Sequence, residues 1–492
     1  MKKMLLIVGL MLCSFLLNAQ EKIKNVVTDN YDRNSVSYII VDRGDSFTSN
    51  INAFHNEMKI SEKFDVNLIP TRKYKTSVSR PNVLAQEEVD AFISSNKLGN
   101  EIISYIYNRK SDGSFDDSIL TERGLYNATD QDMMNAAAAK VSELSLEWGE
   151  TLMNSAYVIV LDFYNLKKTT SDNGSVTYNA YASAYAYKLE AGREVLDNFY
   201  MTAWADATST DEEKANARAA FENLDFYLAP AATVTASGSS SGDNASYHEA
   251  INNAYTNIVY ELENEISAWQ TASSIISTRP LAAKIGTKEG VQNGSRFQSY
   301  SYKEDKEGNL ISVKHGMVRA TVVANNTGVA TGETEPSLFY QISGVQNIQE
   351  GWILKQKNDL KLGATFALGI GPLGFRVGVD LDYIMNIAQR GSIVYPMVNI
   401  GASFTDGYTF VDAMIGAGYG IPVSRFFEIT PYAVIGGYMD IDSTSIDAYA
   451  AEPGVRFALT FQPIAFVLSG GYQYIFGLGG DIDLKFGVKY TF

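Results

Sequence analysis

His55, His248 and His315 are the side chains best suited to move a proton near neutral pH, and the sequence gives none of them a partner at a useful spacing. No H-x-x-x-H or H-x-x-E would set two metal ligands on one helix face, so each reads as an isolated surface or packing residue. The acid pairs Glu87-Glu88 and Asp116-Asp117 adjoin helix starts or turns, where the macrodipole and solvation account for them. Asp440, Asp442 and Asp447 open like a calcium loop. Ser445 stands at the sixth position in place of glycine, however, and Ala451 at the twelfth in place of the closing glutamate, so a solvated acidic loop is the expectation. The glycine-spaced run from Ile285 to Phe297 has no G-K-[ST] and no following helix, which removes a phosphate loop. Tyr178, Tyr181, Tyr185 and Tyr187 could form a ligand platform, but such tyrosines more often pack a sheet face against helices. No catalytic, cofactor-binding or metal-binding residue is assigned, no cofactor is expected, and the chain reads as non-enzymatic. An envelope hydrolase using carboxylates alone is the chemical alternative.

The charges with the clearest spacing lie near the end of the chain. From about Asn358 to Phe492 the sequence has a two-residue period, which sends successive side chains to opposite faces of a strand. Ile482, Leu484, Phe486, Val488, Tyr490 and Phe492 share one face, with Asp481, Asp483, Lys485, Gly487, Lys489 and Thr491 on the other. Leu360–Leu368, Phe375–Tyr383, Val394–Phe404, Val411–Ile421, Phe427–Tyr438, Val455–Phe461 and Ile464–Phe476 complete eight strands. The apolar faces carry essentially no charge. The polar faces carry Lys361, Arg376, Arg456, Lys485 and Lys489 against Asp380, Asp382, Asp412, Glu428, Asp481 and Asp483, a near-balance that predicts a salt-bridged interior. Eight strands enclose only enough space for side chains, so a diffusion pore is not expected. Aromatic residues near strand ends, among them Tyr395, Phe404, Tyr408, Phe426, Phe427, Phe461 and Phe476, suit interface girdles.

This C-terminal quarter resembles the small eight-stranded barrels of the outer membrane protein A and X type. The resemblance implies that Phe492 acts as an assembly signal read by the barrel-assembly machinery, and that outer-membrane lipid surrounds the wall. With an even strand number both barrel ends lie on one side, which would leave residues 20–356 periplasmic. Asp440–Gly454 is then the longest outer connection, beside three very short ones.

Upstream, Lys2 and Lys3, the apolar stretch Met4–Leu17 and the small-residue exit at Ala19 read as a secretory signal. Its removal takes away two lysines and Cys13, leaving 38 bases against 56 acids. The full chain, 492 residues with net charge −16, lacks the basic clusters a nucleic-acid binder needs. One cysteine excludes a disulfide framework. No later run approaches the ~20 apolar residues of a membrane helix.

Residues 20–280 read as an α+β domain. Ser37–Val41, Phe64–Ile69, Ala156–Phe163 and Val176–Lys188 are strand-like, with a hairpin turn at Ser171–Gly174. Gln86–Tyr107, Asp130–Trp148, Asp211–Leu224 and Tyr247–Trp269 have helical spacing, with Thr129 and Thr210 placed as N-caps. Thr233–Ser246, rich in Ser, Gly, Ala and Thr, reads as a flexible excursion. The hairpin around Tyr157–Lys168 and Tyr178–Glu190 is similar to envelope proteins with a curli-transport or TolB N-terminal-like α/β fold. Residues 281–356 read as a small β-barrel-like module, with strands Phe297–Tyr302, Lys314–Ala324 and Ser337–Ser343 and a turn at Lys306–Asn309. Its glycine phrase, followed by Ser337–Gly344 and Glu350-Gly351, resembles the C-terminal domain of a flagellar-assembly T-type protein, which implies packing or docking. The expectation is a multidomain outer-membrane protein, residues 357–492 forming the barrel, that docks envelope protein partners. A surface-exposed binding or adhesion protein is the alternative.

Overall fold

The computed structural model describes residues 33–127, 153–172, 174–304, 310–327, 335–357, 359–405, 407–442 and 446–492. The leader with Ala19, the expected helix Asp130–Trp148 and its cap Thr129, the turn Lys306–Asn309, and Ser445 lie outside the described residues.

The N-terminal region is a mixed sheet between two helical layers. β1 (Ser35–Asp42) pairs in parallel with β2 (Asp65–Val66), β3 (Lys73–Lys75) and β4 (Ala156–Thr170). β4, β5 (Val176–Leu189) and β6 (Leu228–Ser241) then run antiparallel. Tyr38–Val41 of β1 and Ala156–Leu161 of β4 are unbroken apolar runs, and such runs need cover on both faces. Val36, Tyr38, Ile40, Tyr157 and Ile159 pack under α1 (Thr48–Glu57) and α7 (Tyr247–Glu265). Ile39, Val41, Val158 and Val160 face the other core, with α2 (Gln86–Ser95), α3 (Leu98–Ile106), α4 (Ser118–Asn127), α5 (Arg193–Asn198) and α6 (Asp211–Asn223).

Three local expectations differ from the structure. Gln86–Tyr107 is two helices, because Lys97 adopts a left-handed φ of 47° and turns the chain. Strand character at Phe64–Ile69 is confined to Asp65–Val66. Thr233–Ser246 is no excursion: most of it is β6, paired with β5 along its length. Its small side chains let α7 approach closely. A Cβ on Gly238 would fall 2.1 Å from the Ala254 nitrogen, and Asn253 and Asn257 of α7 donate to the Ser239 and Ser237 carbonyls at 2.9 and 2.8 Å. Thr210 does cap α6, accepting from Glu213 N at 3.3 Å in a capping box.

A second, closed sheet follows in the order β10-β11-β8-β7-β12-β9. Its strands are β7 (Ala272–Thr278), β8 (Leu281–Ala283), β9 (Arg296–Glu304), β10 (Leu310–Val322), β11 (Ser337–Gln341) and β12 (Ile353–Lys357). The module therefore takes in residues before 281. Phe297, Val318, Ala320, Phe339 and Leu354 form its core.

The C-terminal sheet closes into an eight-stranded antiparallel barrel. Its strands are β13 (Leu362–Gly371), β14 (Gly374–Tyr383), β16 (Ile393–Thr405), β17 (Tyr408–Ser424), β18 (Phe427–Asp440), β19 (Ala448–Thr460), β20 (Ile464–Ile475) and β21 (Gly479–Thr491). A two-residue piece, β15 (Asn386–Ile387), sits beside β16. Pairing of β13 with β21, from Gly363↔Thr491 to Ile370↔Leu484, joins first strand to last. β19 begins at Ala448, not Val455, so the connection expected over Asp440–Gly454 shrinks to Ile441–Asp447. Pro453 and Gly454 suggest a loop, yet they pair with Ala433 and Tyr432 inside the sheet.

Candidate functional site

Alternation gives the barrel two unlike surfaces. Outward positions are apolar and uncovered, with Phe366 54%, Ile370 67%, Ile415 64% and Leu468 52% exposed. Aromatic rings collect at the ends: Phe426 lies 6.3 Å from Phe461, and Phe427 stacks on Phe457 at 6.2 Å. A continuous apolar wall of this extent far exceeds what a water-soluble monomer exposes, and it fits a membrane. Among the described residues no helix is long and apolar enough to cross one.

The lumen is filled by ion pairs. Arg376 grips Asp412 with two donors, Nε at 3.0 Å and Nη2 at 2.7 Å, the bidentate geometry that strengthens a guanidinium–carboxylate contact. Asp380 lies 4.0 Å from the same guanidinium. Asp382 accepts from Lys489 at 2.7 Å and from Arg456 at 3.0 Å. Lys485 sits between Glu452, at 2.9 and 3.0 Å, and Asp483, at 2.7 Å. Glu452 also accepts from Tyr432 at 2.6 Å and Gln473 at 3.2 Å. Glu428 accepts from Tyr395 and Thr430 near one mouth.

Arg376, Asp380, Asp382, Asp412, Glu428, Arg456, Asp483, Lys485 and Lys489 thus meet in the lumen. Two residues expected there do not. Asp481 is exposed at the strand end, and Lys361 lies just before β13 and turns to the small module, donating to Asn293 O at 2.8 Å. Glu452, fully buried, was missed. Stepping back in twos from Arg456 through Gly454 reaches it, but Pro453 disguised the strand. The described lumen residues therefore count four cations against six anions, more acidic than the near-balance expected.

The small module is fastened to the barrel end where β13 begins and β21 finishes. Asn293 donates to Ile387 O and accepts from Ile387 N, both at 2.8 Å. Arg319, 1% exposed, pairs with Asp359 just before β13, and Arg296 Nη1 reaches Thr491 O at 3.4 Å. Arg425, between β17 and β18, donates to Val345 O at 2.7 Å. The cavity left between module and barrel, lined by Arg319, Tyr340, Tyr395, Glu428 and Lys489, has a volume of about 60 Å³, well below the ~300 Å³ of a small-molecule pocket.

In the α/β region Tyr185 and Tyr187 pack into one core and donate to Leu84 O and Asp90, each at 2.6 Å. Burial pushes the Tyr185 phenol up to about 12, so it stays neutral. Tyr178 packs edge-on against Tyr247 from the other face. Asp162 is fully buried with Arg43 at 2.6 Å, and burial raises its carboxyl despite that partner. A recess of about 490 Å³ lies between Arg33, Glu62, Tyr105 and Arg123, where Asp65 contacts both arginines. These charges answer one another and leave no open receptor of one sign.

His315 is not isolated. Its Nε2 lies 2.7 Å from Ser301 Oγ on the adjacent strand, and the ring stacks on Trp352 at 3.7 Å. Fourteen residues separate the pair, so only strand pairing reveals it. Desolvation lowers the imidazole's pKa. A nucleophile needs a base oriented in turn by a third group. Among the described residues no carboxylate hydrogen-bonds this ring. His248 lies 3.4 Å from Glu57. Among the described residues no group of three or more His, Cys, Asp or Glu could hold a metal.

No family model and no curated protein matches the chain. A solved structure from the de novo design of transmembrane β-barrels is 16% identical, spanning 28% of this chain and 98% of its own, with a TM-score of 0.19. That score adds nothing to the geometry above. The fold defines a protein with a closed eight-stranded antiparallel barrel behind an N-terminal α/β region and a second small sheet.

Proposed function

We propose that this chain is a non-enzymatic outer-membrane protein whose closed barrel anchors a large periplasmic region that docks other envelope components. One observation carries the reading: an uncharged apolar wall surrounds a lumen packed with ion pairs, and the small module sits against one mouth. A barrel so filled anchors and conducts nothing. The start of β13 and the end of β21 both lie on the module's side, so on this reading the module and the α/β region share one compartment. The short connections at the far end, including Ile441–Asp447, leave little surface for adhesion, which disfavours a surface-exposed binder. Cross-linking in the periplasm followed by recovery of the full chain should yield envelope proteins or glycan. Recovery of nothing above background would contradict the docking role.

A further inference from the structure

We infer that the loop after β11, with Val345 at its tip, is a second lipid contact that dips into the bilayer beside the barrel wall. The inference rests on the membrane reading above and extends it from the barrel to the neighbouring module.

A single exposed valine on a loop is ordinary in water. Val345 is unusual in how firmly its exposure is held. It is 85% exposed, while the backbone on both sides is fixed from within. Gln341 Nε2 donates to Ser343 O and Gln346 O, both at 2.9 Å. Gly344 takes a φ of 104° and presses on Gly316, where a Cβ would fall 2.5 Å from the Gly316 Cα. No other residue adopts that conformation in that space without strain, so a glycine sets the turn that presents Val345.

The loop is also held from the barrel side. Arg425 donates to Val345 O at 2.7 Å and to Asn347 Oδ1 at 2.5 Å, and its guanidinium stands 5.2 Å from the Phe426 ring centroid. Phe426 neighbours Phe461, which is 53% exposed on the outward surface. One arginine therefore ties the apolar loop tip to the aromatic end of the wall. A β-branched apolar residue tied through one arginine to that girdle fits acyl chains just below the headgroups, where aromatic girdles themselves sit. A lipid surface is continuous with that wall at this level, and it needs no further segment of this chain to cover Val345.

The chain's only cysteine is Cys13, so a Cys13→Ser background makes single-site labelling clean. Full-length protein carrying Val345→Cys, labelled with an environment-sensitive fluorophore, is inserted into phosphatidylcholine vesicles with or without bromine on the acyl chains. Phe366→Cys on the barrel wall and Thr208→Cys on the α/β region are the reference sites. Bromolipid should quench the label at 345 at least twofold, approaching the quenching at 366, and leave 208 unchanged. Adding Arg425→Ala should return 345 toward the 208 value without altering 366. Quenching at 366 but not at 345 overturns the loop contact alone. No quenching at 366 overturns the membrane reading, and the loop contact with it.

Discussion

Lys485 is placed between two carboxylates in a space that water enters poorly, so its removal leaves Glu452 and Asp483 without their shared cation. Breaking a buried pair from one side costs roughly 3–5 kcal/mol. Lys485→Met should lower the urea midpoint of the barrel, followed by its gel mobility, and adding Glu452→Gln should recover part of the loss. Asp162 gives a pH signature at the same scale. Burial raises its carboxyl in the folded state, so the folded protein holds that proton more tightly than the unfolded chain. Its stabilising contribution is complete below the unfolded pKa of about 3.9 and is lost as pH rises through the raised value. Wild-type stability relative to Asp162→Asn should therefore improve as pH falls from 7 toward 4. Tryptophan fluorescence during urea unfolding reads this, because Trp148, Trp204, Trp269 and Trp352 all precede the barrel. An opposite slope would show that the Arg43 contact outweighs burial.

Elements were legible where one pattern dominated. The barrel strands were visible because a single period of two ran through almost every one, and β1 and β4 because each holds an unbroken apolar run, Tyr38–Val41 and Ala156–Leu161. β6 was hidden by composition, since its serines, alanines and glycine are what a linker would carry. Their small size serves packing instead: Gly238 admits the backbone of α7. Gly238→Val should overpack that contact and cost about 1–3 kcal/mol, seen as a lower urea midpoint by tryptophan fluorescence with the barrel's gel mobility unchanged. The start of β19 was hidden by Pro453-Gly454, and with it went Glu452, the anion that organises Lys485, Tyr432 and Gln473. Ser301 and His315 were separated by sequence and joined by the pairing of β9 with β10, a relation no local spacing contains.

At the scale of the whole molecule, the barrel and the module form one closed stack through Asn293, Asp359 and Arg425, and the α/β region precedes both. On the proposed topology, protease added to intact cells should leave residues before the barrel uncut until the outer membrane is opened. Cleavage in intact cells would place that region outside. The lipid-facing wall is tested most directly by cysteine scanning of β13 in the Cys13→Ser background. Labels at Phe366 and Leu368 should be quenched by brominated lipid, while those at Thr365 and Ala367 should not, giving a two-residue period. Labels at 366 and 368 that stay open to an aqueous quencher and silent to bromolipid would contradict a membrane-spanning barrel.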